Sequence, residues 1–223
     1  MQQLVSAEQW SVGSGRYTPY VSSVAWHTGK SLYYALSNGS VFYYNAEGSV
    51  PKITRVRGIS YAQSIAYDYI GQKLYWSNPK RQMVLRCSVG GCDNSADKME
   101  WLRIVTMAKE IAIDSLKGTL VWNTGHSLEA SKLNGYHPIV LYQTGLFSGV
   151  QIMGFTLDGS DHVYFVTRSS SGSVLRQLTY DKRGRPRPVE IARFNEINLL
   201  GKSAFSNHPH DVIFSLSDNL VIF

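Results

Sequence analysis

Cys87 and Cys92 are the first residues whose type and spacing point to chemistry. They bracket Ser88-Val89-Gly90-Gly91, and the Gly-Gly pair lets a tight turn bring its ends together. A disulfide across that turn is the favoured reading and would suit an oxidising compartment; two free thiols are the alternative. A zinc site needs four ligands, and the chain has no second cysteine pair. A redox pair is usually Cys-x-x-Cys, which this spacing is not. Six histidines stand at 27, 126, 137, 162, 208 and 210 with no spacing suited to metal ligation, and His208-Pro209-His210 reads as a turn. No Gly-x-Ser-x-Gly elbow, phosphate loop or kinase catalytic loop is present, so no catalytic residue and no cofactor is assigned. Asn38-Gly39-Ser40 is an N-glycosylation sequon and also a favoured hairpin-turn pair; glycan use depends on secretion. The densest basic run is Lys182-Arg183-Gly184-Arg185-Pro186-Arg187. It reads as a solvated turn between two strands, with a polyanion patch or a protease-sensitive dibasic loop as the functional alternative.

The composition bounds what must position these groups. The chain has 223 residues, 17% charged and 12% aromatic, with 14 Tyr, 8 Phe and 5 Trp. Disordered tails are poor in aromatics and rich in charge, so this is a folded chain, long enough to bury a core. No apolar run reaches the roughly 18–20 residues of a membrane helix. Residues 1–8 lack the basic start and apolar stretch of a secretory signal. The net charge of +6 permits polyanion contact, but the cations are spread out, so nucleic acid and direct membrane contact are not expected partners.

The strongest signal is self-similarity at a period in the forties. Segments 24–34, 65–76, 111–122, 155–165 and 204–214 align, each reading strand, polar turn, strand. Paired large residues close them at 33/34, 75/76, 121/122, 164/165 and 213/214, spaced by 42, 46, 43 and 49. A third strand follows near 40–46, 83–89, 128–133 and 174–180. A more variable fourth follows near 52–56, 102–107, 138–142 and 189–194. Four strands per unit of this length is the arithmetic of a propeller blade, so the expected fold is an all-β β-propeller of four-stranded blades. The repeats fall near 21–57, 63–107, 109–143, 150–194 and 202–223, with residues 1–20 able to donate one or two strands to the ring. Side chains alternate along a strand, so the paired residues point into the gaps on either side of each blade. Tyr33, Tyr34, Tyr75, Trp76, Trp122, Tyr164, Phe165 and Phe214 are therefore read as blade core and not as a ligand platform. Asp68, Asp114 and Asp158 recur at one place in three repeats, which fits a carboxylate that accepts backbone N–H bonds in the turn between strands one and two.

The stretch Ser64-Ile65-Ala66-Tyr67-Asp68-Tyr69-Ile70-Gly71-Gln72-Lys73-Leu74-Tyr75-Trp76-Ser77-Asn78 resembles the YWTD repeat, the LDL-receptor class B repeat. The likeness covers about five repeats, most of 21–223. With Ala62-Gln63 before it and Pro79-Lys80-Arg81-Gln82 after it, the stretch looks most like the Sevenless/ROS receptor tyrosine kinases. The resemblance implies a six-bladed propeller, of which this chain is a part. It also implies a place on the extracellular side of the plasma membrane among fibronectin type III modules, and a kinase domain elsewhere in the parent. The final Asp of the motif is absent: Leu36, Asn78, Thr124, Thr167 and Leu216 stand there. If that Asp ties blades together, these blades should lean more on apolar packing.

The expected function is thus a non-enzymatic recognition or spacer module of a receptor ectodomain, with a protein ligand or a neighbouring module as partner. Its binding residues are sought in loops that differ between repeats, 88–98 and 180–188. An intracellular scaffold propeller of the WD40 or NHL kind is the alternative, but its Gly-His and Trp-Asp marks are missing. A six-bladed propeller enzyme is a third, lacking the convergent carboxylates and histidines that such chemistry needs.

Overall fold

The computed structural model describes residues 19–28, 30–92, 99–102, 104, 106–145, 147–158 and 162–194. It also describes the backbone of 202–205, 212–216 and 219–222. The N-terminal strand sought within 1–20 lies almost wholly outside these residues, as do His208-Pro209-His210 and the side chain of Phe214.

The apolar, β-branched and aromatic runs form strands, and Gly, Asp and Asn form the turns between them. The first sheet holds β1 (Val21–Thr28), β2 (Ser31–Leu36), β3 (Val41–Asn45) and β4 (Lys52–Arg55). The second holds β5 (Ser64–Asp68), β6 (Lys73–Asn78), β7 (Met83–Ser88) and β8 (Glu100–Trp101). The third holds β9 (Glu110–Asp114), β10 (Thr119–Asn123), β11 (Ser127–Lys132) and β12 (Ile139–Gln143). The fourth holds β13 (Gln151–Leu157), β14 (Val163–Ser169), β15 (Gly172–Tyr180) and β16 (Pro186–Phe194). β17 (Lys202–Phe205), β18 (Val212–Leu216) and β19 (Asn219–Ile222) make a three-stranded fifth. Every pairing is antiparallel between sequence neighbours, and no helix occurs among the described residues. Innermost strands β1, β5, β9, β13 and β17 follow one another around a common axis, and β17 also lies against β1. This is a β-propeller architecture.

One register recurs in the first four sheets. Val24 faces Tyr34, Ile65 faces Trp76, Ile111 faces Trp122 and Phe155 faces Phe165. Adjacent residues of the second strand then point to opposite neighbours. Trp76 packs into the first seam with Tyr33, Ala35 and Val41 of the preceding sheet. Tyr75 packs the other way, against Trp122, Leu120 and Ile111 of the following sheet. Val121 turns from Trp122 into the third seam, where it meets Phe155 and Phe165. Trp76 and Trp122 are 1% and 0% exposed. The Trp122 indole N–H donates to Thr106 Oγ1 at 2.9 Å, and Thr106 Oγ1 donates to the buried Glu129 carboxylate at 2.7 Å. A buried polar handle is thereby satisfied.

Apolar packing is joined by side-chain ties between inner strands. Ile65 N donates to Ser23 Oγ at 3.0 Å, Ile111 N to Ser64 Oγ at 3.1 Å and Phe155 N to Glu110 Oε2 at 3.3 Å. Asn123 Nδ2 reaches Ile152 O at 3.4 Å, and Tyr69 N donates to Ser115 Oγ at 3.3 Å. Inner strands are not laddered to one another, so their backbone groups need these partners. At the site of the missing motif Asp itself Asn78 donates to Ser60 O, and Asn123 stands beside the site at Thr124, while the other ties come from first strands and the turns after them, so the blades do not lean on apolar packing alone. The fourth strand expected at 102–107 is instead the two-residue β8. Beyond it Leu102 N still donates to Val84 O of β7 at 2.9 Å, and the Leu102 and Ala108 side chains are buried in the second seam.

Truncating a sealed ring should cost far more than truncating an exposed one. Trp122→Ala is expected to lose about 3–5 kcal/mol in urea unfolding. Trp101→Ala, with Trp101 70% exposed on β8, is expected to change stability by less than about 0.5 kcal/mol.

Candidate functional site

Antiparallel order sorts the turns to two ends of the propeller. One end collects the starts of β1, β5, β9 and β13 with the β2–β3, β6–β7 and β10–β11 turns. These surround a cavity of about 670 Å³ at the mouth of the central channel. Its wall carries corresponding residues from successive sheets: Ser22 and Ser23, Gln63 and Ser64, Lys109 and Glu110, Gln151 and Ile152. Asn38, Tyr61 and Lys80 stand on its rim.

The rim is built with little freedom. Gly39 has φ +82, and a Cβ there would lie 2.5 Å from the Tyr61 Cα. The bare backbone of that turn meets the 61–62 segment, where Ala62 N donates to Gly39 O at 3.1 Å. Asn78 Nδ2 holds the Ser60 carbonyl from the other side at 3.3 Å. Tyr61 is thus fixed at φ 55, a region that bulky residues rarely enter, with its ring 47% exposed. The Lys80 ammonium sits 3.8 Å from the centre of that ring, in cation–π contact. Asn38 Oδ1 accepts from Ser40 N at 3.0 Å, which leaves the exposed sequon in a formed turn at the rim. The groups on offer are hydroxyls, amides, two exposed aromatics, Tyr20 and Tyr61, and two ammonium groups; among the described lining residues Glu110 is the one carboxylate. Such a set binds by hydrogen bonding and cation contact. Among the described residues no three His, Cys, Asp or Glu side chains gather as a metal site would require.

The recurring Asp residues sit at the opposite end. Asp68 Oδ1 accepts from Ile70 N at 3.2 Å, Asp114 Oδ1 from Lys117 N at 3.1 Å and Asp158 Oδ1 from His162 N at 3.1 Å. Asp158 Oδ2 also lies 2.7 Å from His162 Nδ1. Cys87 and Cys92 are joined by a disulfide, with Cα atoms 5.4 Å apart, and both are buried in the first seam. A Cβ on Gly58 would overlap the Cys92 carbonyl, so the bridged loop packs directly on the first sheet's exit segment. Tyr33 and Phe165 are buried in the first and third seams, Tyr34 and Tyr164 are partly buried on the opposite faces of their strands, and none of the four lines the mouth. Tyr164 Oη accepts from Gln177 Nε2 at 3.1 Å, and the Tyr34 ring stacks on Phe42.

Of the candidate site residues named from the sequence, Asn38 reaches the mouth, and Ala62, Gln63, Ser64, Pro79 and Lys80 of the YWTD-like stretch and its flanks line it as well. The 180–188 loop lies at the other end. Lys109 and Gln151 stand one repeat period apart, but their types differ, and only the closing of sheets around an axis brings them together with Tyr61 and Lys80. The repeat period, the stretch flanking Lys80 and the Asn38-Gly39 turn were the signals that could have found them.

No protein-family model matches the chain. Among curated proteins it is similar to the proto-oncogene tyrosine-protein kinase ROS of Gallus gallus, 31% identical over 155 residues. That match covers 66% of this chain and 6% of the relative. The ROS kinase of Homo sapiens is 30% identical over 146 residues, covering 65% of this chain and 6% of the relative. The chain thus spans a small fraction of the relatives it matches. Among solved structures it resembles a nidogen/laminin complex, with TM-score 0.63, 17% identity and coverage of 88% of this chain and 72% of that one. It also resembles the WD40 β-propeller domain of Doa1, with TM-score 0.57, 14% identity and coverage of 93% and 66%. At these identities the likeness establishes the fold.

Two measurements probe this geometry. Gly39→Ala is expected to lose more than about 1 kcal/mol in thermal melting, and more than Gly90→Ala, which shares the strained φ but has open space around it. The second concerns His27, ringed by Tyr33, Tyr43 and Tyr67 at the end of β1. Burial holds its imidazole below the ordinary value, with Glu47 pulling it partly back. The unfolded chain therefore takes up that proton at higher pH, and stability present above the ordinary histidine range is lost as pH falls through it. The urea midpoint should drop between about pH 7.5 and pH 5.5, and drop less in His27→Gln.

Proposed function

We propose that this chain is a recognition or spacer module from the extracellular part of a cell-surface receptor of the Sevenless/ROS receptor tyrosine kinase kind. The observation that carries the reading is the similarity to ROS kinases across two thirds of a chain folded as a propeller. The YWTD-like stretch 64–78, the Cys87–Cys92 bridge and the sequon at Asn38 all support it. Kinase activity belongs to other segments of such a parent, and this chain acts by binding.

Its partner is a protein ligand or an adjoining ectodomain module such as a fibronectin type III domain. The mouth is the end best suited to a ligand, because Tyr61 offers a rigid aromatic anchor beside the Lys80 and Lys109 cations. A glycan on Asn38 would stand on the same rim and limit the directions of approach.

Secretion tests the compartment. Fused to a cleavable leader and expressed in animal cells, the chain should appear in the medium, and a non-reduced digest should yield a peptide bridged between Cys87 and Cys92. Peptide N-glycosidase should increase its gel mobility, and Asn38→Gln should abolish that shift. A chain retained inside the cell with reduced thiols would overturn the extracellular reading.

A further inference from the structure

The β15–β16 hairpin differs from its counterparts in length, shape and charge. Its strands have nine residues each, against five or six in the third strands of the other four-stranded sheets. β15 pairs with β14 only as far as Leu178 opposite Val163, whereas its ladder with β16 continues to Tyr180 opposite Pro186. A two-stranded ribbon thus runs on for two more positions, roughly 7 Å at the usual strand rise, before the turn begins. The tip projects from the end of the propeller opposite the mouth.

The turn is held in one shape. Asp181 Oδ1 accepts from Arg183 N at 2.8 Å and Arg185 N at 2.9 Å, and Asp181 Oδ2 accepts from Arg185 Nε at 2.9 Å. Asp181 N donates to Arg185 O, and Gly184 N to Asp181 O, both at 2.9 Å. Thr179 Oγ1 donates to Arg187 O at 3.0 Å. Pro186 and Pro188 fix φ at alternate positions of the edge strand and block further strand pairing there. Between 181 and 187 the chain carries four cations and one carboxylate, half of its net charge of +6. Lys182, Arg183, Arg185 and Arg187 are all exposed. Among the described residues nothing accepts a hydrogen bond from the side chains of Lys182, Arg183 or Arg187, while Asp181 is occupied within the turn.

We propose that this hairpin tip is a binding site for linear sulfated polysaccharides. Guanidinium forks pair with tetrahedral oxyanions in bidentate fashion, and three Arg and one Lys on a preformed ribbon meet successive sulfates at little ordering cost. Residues 181–187 hold no apolar side chain larger than proline, and Tyr180, 49% exposed at the base of the turn, is the one aromatic of the projecting ribbon, too little to enter a bilayer or to stack successive bases. The extracellular reading supplies only the availability of such a partner; the binding chemistry stands on the hairpin.

Affinity for a heparin oligosaccharide, measured by surface plasmon resonance on the full chain over a range of NaCl, tests the site. Combined Lys182→Gln, Arg183→Gln, Arg185→Gln and Arg187→Gln should weaken binding about tenfold or more and flatten its salt dependence. A control quartet of the same charge change, Lys30→Gln, Lys52→Gln, Arg81→Gln and Lys132→Gln, should weaken it less than about twofold. If the first quartet melts early, the triple variant retaining Arg185 keeps the Asp181 ion pair and should give the same order. Equal losses in both quartets would overturn the site, as would equal binding of desulfated heparin. Tighter binding of single-stranded DNA or phosphatidylserine vesicles would also overturn it. A chain that is secreted with its disulfide yet ignores heparin refutes this site alone; one that binds heparin but stays inside the cell refutes the receptor reading alone.

Discussion

The structure depends on one constraint, the alternation of side chains along the second strand of each sheet. Because neighbours point to opposite faces, one adjacent pair of large residues serves two seams. Tyr75 and Trp76 show it most fully, the first sealing the third sheet and the second sealing the first. A lone four-stranded sheet would leave both rings in water. Set around an axis, every sheet supplies half of each seam it borders, so stability is shared between neighbours and not owned by any one sheet.

That arrangement creates a second requirement at the centre. Inner strands approach the axis without laddering to one another, which leaves backbone groups to be satisfied. Ser23, Ser64 and Glu110 each accept from an N–H of the next sheet, and Asn123 donates to one of its carbonyls. These ties lie at the strand starts, so the same residues that hold the inner strands together also form the wall of the mouth. Arg86 makes a corresponding link farther out, donating to Tyr75 Oη, to the Glu100 carboxylate and, at 2.8 Å, to the Leu133 carbonyl of the third sheet.

The two ends then acquire different character from the same scaffold. At the mouth, close backbone approach at Gly39 holds Tyr61 in a strained conformation beneath Lys80. At the other end, Asp-capped turns close the hairpins, and one of them extends into a cationic ribbon. Rigid sheets permit this division, because loops on a stiff frame can vary without disturbing the seams.

Much of this was legible in the linear order of residues. The period of the aromatic pairs, the Asp at 68, 114 and 158 and the turn residues between short apolar runs determine four-stranded sheets, because strand alternation and turn preference act over a few neighbours. Cys87 and Cys92 are near enough for their spacing alone to raise a bridge. The mouth was not legible. Tyr61 and Lys80 border the second sheet and Lys109 and Gln151 stand one period apart on the third and fourth, but their meeting depends on how sheets close around an axis. The same holds for Ser23, Ser64 and Glu110, whose partners lie more than forty residues away. For the basic run at 182–187 the order of residues supplied the charge, but only the longer ladder and the Asp181 turn decided that it projects as one rigid tip. Contacts between near neighbours are encoded by type and spacing; contacts across a ring are decided by the packing that closes it.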